Sequence, residues 1–245
     1  MSVADRLLEI AHGDERAVLF TVLEGPSAGT HLLVLTERGE AIGDAPQGLA
    51  TLAPEILRNG LHEHDGLKVF AEVYGPPPRL VVVGAVDTAE ALCAAAAMLG
   101  WRTVCIDPRP VLATHERIPS ADELILEWPD DALARIAPDH NTAVVVLSHD
   151  DKFDVPALRV ALRTDAFYVG AIGSRRTQAK RRERLLEEGL TDAELARIYG
   201  PSGLDLGADT PAETAISILS EALAVRAGRL GTPLQMAPGR IHVES

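Results

Sequence analysis

The residues best able to do chemistry lie in short loops where glycine, hydroxyl and charged side chains meet. The most anion-friendly is Gly170-Ala171-Ile172-Gly173-Ser174-Arg175-Arg176-Thr177. Gly173 allows a sharp turn, Ser174 can cap a following helix, and the free N–H groups of that helix start next to two guanidinium groups suited to bidentate phosphate binding. Basic residues continue through Lys180, Arg181, Arg182 and Arg184 against the lone Glu183. On a helix Arg176, Lys180 and Arg184 share one face, which reads equally well as a solvated surface.

Three further loops carry candidate groups. Gly84-Ala85-Val86-Asp87 opens a strand-turn-helix unit and keeps the first glycine of a dinucleotide fingerprint but has valine at the second. Asp87 there sets a carboxylate where an anion would sit, and it equally reads as a helix cap. Asp107 follows 23 residues after Gly84, at the end of the next strand, where an acidic side chain can accept from ribose hydroxyls; Arg109 beside it can meet a phosphate or a substrate acid. Ser148-His149-Asp150-Asp151 places an imidazole beside carboxylates, a group that can act as acid, base or ligand or simply open a helix. A last loop, Gly200-Pro201-Ser202-Gly203-Leu204-Asp205-Leu206-Gly207-Ala208, invites a close backbone approach, and Asp205 is its candidate polar group.

All these loops require strands to present them. From Arg79 on, apolar runs of strand length (80–83, 103–106, 123–126, 143–147 and 166–172) alternate with helical patterns at 88–99, 129–137, 154–164 and 175–188. Runs apolar on both faces belong to buried parallel strands, so five strands and a doubly wound α/β sheet are expected. Two capping-box signatures, at Thr191 to Glu194 and Thr210 to Glu213, open helices reaching Ile198 and Ala227. Before Gly75-Pro76-Pro77-Pro78 the chain reads differently: a helix over 2–12, strands over 17–23 and 31–36, a kinked helix over 46–59, a polar loop over 62–66 and a strand over 67–74. Three prolines favour a stiff connection, so the expected organisation is an N-terminal α+β domain (1–74), a linker (75–78) and a Rossmann-like domain with a helical extension (79–245).

Composition narrows the function. With 23 basic and 36 acidic residues among 245, the net charge of -13 argues against broad nucleic-acid or anionic-membrane binding. Cys93 and Cys105 fall within a helix and a strand and read as small apolar core residues, not a redox or metal pair. No apolar run reaches the length of a membrane span and the N-terminus lacks a signal-peptide pattern, so a cytoplasmic protein is expected.

From Arg79 to about Arg226 the chain resembles the C-terminal Rossmann-like domain of the xanthine dehydrogenase accessory factor (XdhC/CoxI) family. The resemblance is carried by VCIDPR at 104–109, SHD at 148–150, YVGAIGSRRT at 168–177 and the run ARIYGPSGLDLGADTPAETAISILSEALAVR at 196–226. It implies a homodimeric chaperone, not a turnover catalyst, that binds molybdopterin, supports its sulfuration and delivers it to an apo molybdenum hydroxylase such as xanthine or carbon monoxide dehydrogenase. The pocket implied, in a cleft between the domains, gathers Gly84, Asp107, Arg109, His149, Asp150, Gly173, Ser174, Arg175, Arg176 and Asp205, with no catalytic or metal-ligating residue assigned. Two features depart from the family pattern: the turn has Val86 and Asp87 where glycine and histidine are usual, and the segment around Ala41 to Pro46 lacks a cysteine. Two other readings remain open, an oxidoreductase using NAD(P) on the same sheet and a partner-binding member that has lost its ligand.

Overall fold

A computed structural model describes residues 2–11, 15–148 and 150–236. The chain divides into two compact units, Met1–Pro76 with Thr232–Ser245, and Pro77–Gly231.

The first unit is built on an antiparallel sheet of β1 (Ala17–Val22), β2 (His31–Leu35), β3 (Glu40–Gly43), β4 (Gly60–His64) and β5 (Leu67–Tyr74), in the order β3-β2-β1-β5-β4. Alternate residues of β1 face opposite sides, as the two-residue period of a strand requires. Val18, Phe20 and Val22 join the 3₁₀ segment Gln47–Glu55 in one cluster, while Ala17 and Leu19 join α1 (Val3–Ala11) in another. Two local expectations change. The segment expected as a polar loop is β4, paired to β5 through a hairpin at Asp65-Gly66, both with positive φ (49° and 76°). Asp-Gly suits such a two-residue turn, and an edge strand tolerates the polar His62 and Glu63. The helix expected over 46–59 is shorter and 3₁₀, with Pro54 inside it and unable to donate the bond a longer α-helix needs.

The second unit contains β6 (Arg79–Val83), α2 (Asp87–Met98), β7 (Arg102–Ile106), β8 (Glu123–Ile125), α3 (Pro129–Ile136), β9 (Thr142–Val146), α4 (Asp151–Ala161), β10 (Tyr168–Ala171), α5 (Arg175–Glu187), α6 (Asp192–Leu195), β11 (Ile198–Tyr199) and α7 (Pro211–Arg226). Its six strands are parallel in the order β11-β10-β9-β6-β7-β8. That is one strand more than the sequence patterns indicated. β11 is only two residues long and follows directly on a capped helix, so no apolar run announces it.

Both faces of this sheet are covered. Leu80 and Val82 point into a cluster shared with Ala89, Leu92, Ile218 and Leu219 of α2 and α7. Val81 and Val83 point into the other, with Leu133, Leu158 and Leu185 of α3, α4 and α5. This is the continuous apolar pattern of a buried parallel sheet. Cys93 and Cys105 are free thiols inside the first cluster.

The chain starts the sheet at its centre with β6, winds outward to β8, then returns to the other side of β6 with β9. The reversal lies between β6 and β9, and ligands of such sheets bind outside the carboxyl ends of the strands near that point.

Candidate functional site at the carboxyl edge

The last ladder pairs set Val83 beside Ile106 and Val146, and Val146 beside Ala171. The loops after β6, β7, β9 and β10 therefore leave one sheet edge. Neighbouring parallel strands are about 4.8 Å apart, so the loop after β7 and the loop after β10 start roughly 14 Å from each other.

At the reversal point Gly84 has φ +106°, and a Cβ there would stand 3.1 Å from the Ser148 amide nitrogen. Glycine is thus needed for two strand ends to come together. Val86, not Asp87, is the N-cap of α2, without a side-chain cap bond; Asp87 is the first helical residue, exposed and paired to Arg117 at 3.4 Å.

Asp107 is 1% exposed. Its Oδ2 accepts from the Ala85 amide at 2.8 Å, its Oδ1 accepts from the Arg109 amide at 2.9 Å, and the Arg109 guanidinium grips both oxygens through Nε (2.8 Å) and Nη2 (2.7 Å). Burial pushes the carboxyl up, but the bonds from Arg109 and Ala85 outweigh it and hold it below the usual carboxylate range. In this arrangement Asp107 faces its own protein, whereas Arg109 is 41% exposed. The Arg109 guanidinium lies 5.4 Å from the Phe153 ring centroid and Lys152 Nζ 4.9 Å from it, contacts within cation–π range. Trp128, half exposed, leans on the same ring at 5.3 Å.

Asp150 is the N-cap of α4 and accepts from the Lys152 amide at 3.1 Å, while its other oxygen pairs with Lys152 Nζ at 3.2 Å. Those bonds, the backbone one foremost, lower its pKa. Its own amide donates to the Ser148 hydroxyl at 3.1 Å. His149 lies outside the described residues.

After β10, Gly173 turns at φ +124° and Ser174 caps α5, its Oγ accepting from the Thr177 amide at 3.1 Å. The six cations that follow divide sharply. Arg181 is buried, donating to Asp154 at 2.7 Å, to the Ile172 carbonyl at 3.1 Å and to Gln178 at 2.7 Å. Arg182 pairs with Asp192 and Arg184 with Asp151. Arg175, Arg176 and Lys180 are not buried and form no ion pair with a described residue. The face expected to run from Arg176 through Lys180 to Arg184 therefore ends before Arg184, whose charge is met by a carboxylate.

The glycine-rich loop 200–208 belongs to this side of the edge. The Ser202 amide donates to the Ala171 carbonyl at 3.0 Å, and the Gly203 amide donates at 2.8 Å to Glu221, which also accepts from the Tyr168 hydroxyl at 2.5 Å. Burial first, and Glu221 second, push the Tyr168 phenol up, so it remains a donor. Asp205 is exposed on the loop.

The fold thus groups the candidates into two sets. Gly84, Asp107, Arg109 and Asp150 gather around the reversal point; Gly173, Ser174, Arg175 and Arg176 stand at the end of β10. Lys152, Phe153 and Asp154 have no signal in the sequence reading, and Arg181 figures there only as one cation of the run after Gly173; an apolar residue two positions into a helix after a strand end is the one available hint for Phe153. Among the described residues no group of three or more His, Cys, Asp or Glu side chains is placed to hold a metal, and no helix is long and apolar enough to cross a membrane.

Residues 80–222 match the family model described as the XdhC Rossmann domain. A probable xanthine dehydrogenase subunit of Bacillus subtilis (strain 168) is 30% identical over 199 residues, 80% of this chain and 58% of that one. The molybdenum cofactor insertion chaperone PaoD of Escherichia coli (strain K12) is 31% identical over 160 residues, 65% of this chain and 44% of that one. The chain spans about half the length of these curated relatives. A crystal structure described as a xanthine dehydrogenase from Bacillus halodurans shares the fold, with a TM-score of 0.63 at 24% identity over 92% of this chain and 65% of that one.

Proposed function

The chain belongs to the XdhC family through its Rossmann domain, and on that premise we propose that it is a maturation factor that binds molybdopterin and delivers it to an apo molybdenum hydroxylase. One relative is described as a molybdenum cofactor insertion chaperone and another as a probable xanthine dehydrogenase subunit. The observation that carries the reading is the start of α5. In a chain with a net charge of -13, Arg175, Arg176 and Lys180 stand without described carboxylate partners beside Gly173 and the Ser174 cap. Guanidinium groups next to a helix N-terminus suit a phosphate, and molybdopterin carries one.

The donor set fits that group. Gly173 and Ser174 would lend the turn and the cap, Arg175 and Arg176 would hold the phosphate, and Arg109, with Gly84 and Asp150 near it, would meet the polar end of the ligand. His149 and Asp205 are further candidates. The bound cofactor would supply the molybdenum chemistry of the client enzyme; this chain's residues would hold and orient it. A client such as xanthine or carbon monoxide dehydrogenase and a homodimeric state are parts of the same proposal.

The test is retention of molybdopterin by protein purified from cells that make the cofactor, read by mass spectrometry of what copurifies. Changing Arg175 and Arg176 together to Ala is expected to lower retention at least tenfold. Unchanged retention rejects this phosphate site. Submicromolar NADH binding, read by its fluorescence, would instead favour the oxidoreductase reading.

A further inference from the structure

At the end of the second strand of this strand order, an acidic side chain ordinarily takes the ribose hydroxyls of a nucleotide, or an arginine nearby takes a phosphate on that ribose. Asp107 occupies the acidic position but faces inward. Four donors, from Ala85 and Arg109, fill its two oxygens, and only 1% of it is exposed. Arg109 is held side-on, through Nε and Nη2. That leaves Nη1 and the second N–H of Nη2 without a bond to a described residue, and such an edge is the fork that grips a phosphate through two parallel bonds. Lys152 brings a second cation to the same Phe153 ring, so both are anchored by one aromatic side chain. The charged groups at this place are Arg109, Lys152, Asp150 and the Asp107 beneath Arg109, which sum to zero, so a phosphate would be drawn by the open N–H edge of Arg109 and not by an excess of positive charge.

We propose that Arg109 and Lys152 form a phosphomonoester subsite, and that Asp107 is the positioning residue that presents Arg109 and does not itself bind a sugar. The subsite deepens the reading above, in which Arg109 meets the polar end of the ligand, and its phosphate contact is tested separately from the Arg175–Arg176 loop. Two sources share the chemistry: a phosphate on a nucleotide ribose, and a phosphate ending a short chain on a planar ring.

Two matched pairs of probes test it by calorimetry, each pair differing by one phosphomonoester: NADP⁺ against NAD⁺, and flavin mononucleotide against riboflavin. The expected result is that the phosphorylated member of at least one pair binds about tenfold tighter, the size of one exposed charge-assisted contact. The pair that shows it identifies the source. Arg109→Ala should erase the preference and Arg109→Lys should restore only part of it, because a point charge cannot replace the fork. Asp107→Asn should lower the preference as Arg109→Ala does, and the double variant should be no worse than Arg109→Ala alone. Asp150→Asn keeps the helix cap but removes the repelling charge, so the phosphorylated probe should bind severalfold tighter.

Equal binding within both pairs, or no binding of any probe, overturns the subsite. Equal weakening of NAD⁺ and NADP⁺ in Asp107→Asn, with the ratio of their affinities unchanged, would show Asp107 to be a sugar ligand. Weaker binding in Asp150→Asn would remove Lys152 from the subsite. Arg109→Lys keeps a cation beside the buried Asp107 and stays informative if Arg109→Ala or Asp107→Asn fails to fold. The Arg175→Ala, Arg176→Ala double variant separates the two sites: a preference that survives it and is lost in Arg109→Ala belongs to Arg109, whereas one lost in it and kept in Arg109→Ala belongs to the start of α5 and overturns the subsite.

Discussion

The buried ion pair between α4 and α5 gives the sharpest test of how the Gly173 turn is held. Arg181 and Asp154 are 2% and 1% exposed, with Nη2 and Oδ2 2.7 Å apart. Removing one member of such a pair leaves the other charge in a poor solvent and costs about 3–5 kcal/mol. Arg181→Met fills similar volume and takes the 2.7 Å guanidinium bond from the buried Asp154. It also removes the guanidinium bonds to the Ile172 carbonyl and Gln178, both next to the turn. A domain is stable by about 5–15 kcal/mol, so the loss is a large fraction. With a urea slope of about 2 kcal/mol/M, the unfolding midpoint should fall by about 2 M. Adding Asp154→Leu should recover most of that loss, since an apolar pair places no charge in the interior. Urea titration followed by circular dichroism decides the matter. A single variant within about 1 kcal/mol of the parent, or a double variant no better than the single, refutes the account.

Other perturbations have equally definite outcomes. Burial, with Glu90 nearby, pushes the Cys93 thiol up to about 12, and burial raises Cys105 further. Both thiols should therefore resist a disulfide reagent at pH 8 in the folded protein and react within minutes in denaturant. Gly84→Ala places a Cβ 3.1 Å from the Ser148 nitrogen at a φ of +106°, a conformation that costs about 1–3 kcal/mol, read as a lower urea midpoint. The Thr191 amide, the Thr191 hydroxyl and Arg163 hold Glu194 at about 2, against an ordinary 4.5. A depressed folded pKa gives stability that is present above 4.5 and lost as pH falls towards 2. Melting temperatures at pH 7 and pH 3 should therefore converge more closely in Glu194→Gln than in the parent.

The sheet was legible because parallel strands buried on both faces leave unbroken apolar runs, as at 80–83 and 143–147. What sequence patterns could not show depends on partners distant along the chain. Arg176 and Arg181 look alike in sequence, yet one is exposed and the other is tied to Asp154, 27 residues away. The same holds for Arg184, whose charge is met by Asp151 across two helices. β4 was hidden by its polarity, although Asp65-Gly66 carried the hairpin signal.

The loop after β6 shows why one glycine is weak evidence for a phosphate site. A glycine can be demanded by a ligand's approach or by the protein's own backbone, and Gly84 meets the second demand through Ser148. The surroundings of α2 point the same way. Ala113 and Ile118, from the segment between β7 and β8, are buried in the cluster that includes Ala85 and Ala89. Ser120 donates twice to Glu90, through its amide at 3.1 Å and its hydroxyl at 2.6 Å, and Arg117 pairs with Asp87. The start of α2 is thus clamped by neighbouring chain and carries two carboxylates in its first turn, Asp87 and Glu90. The start of α5 has no acidic residue in its first turn, and Arg175 and Arg176 there pair with no described carboxylate. Of two helix starts on one sheet edge, with similar backbone donors, side-chain charge favours an anion at α5 and disfavours it at α2.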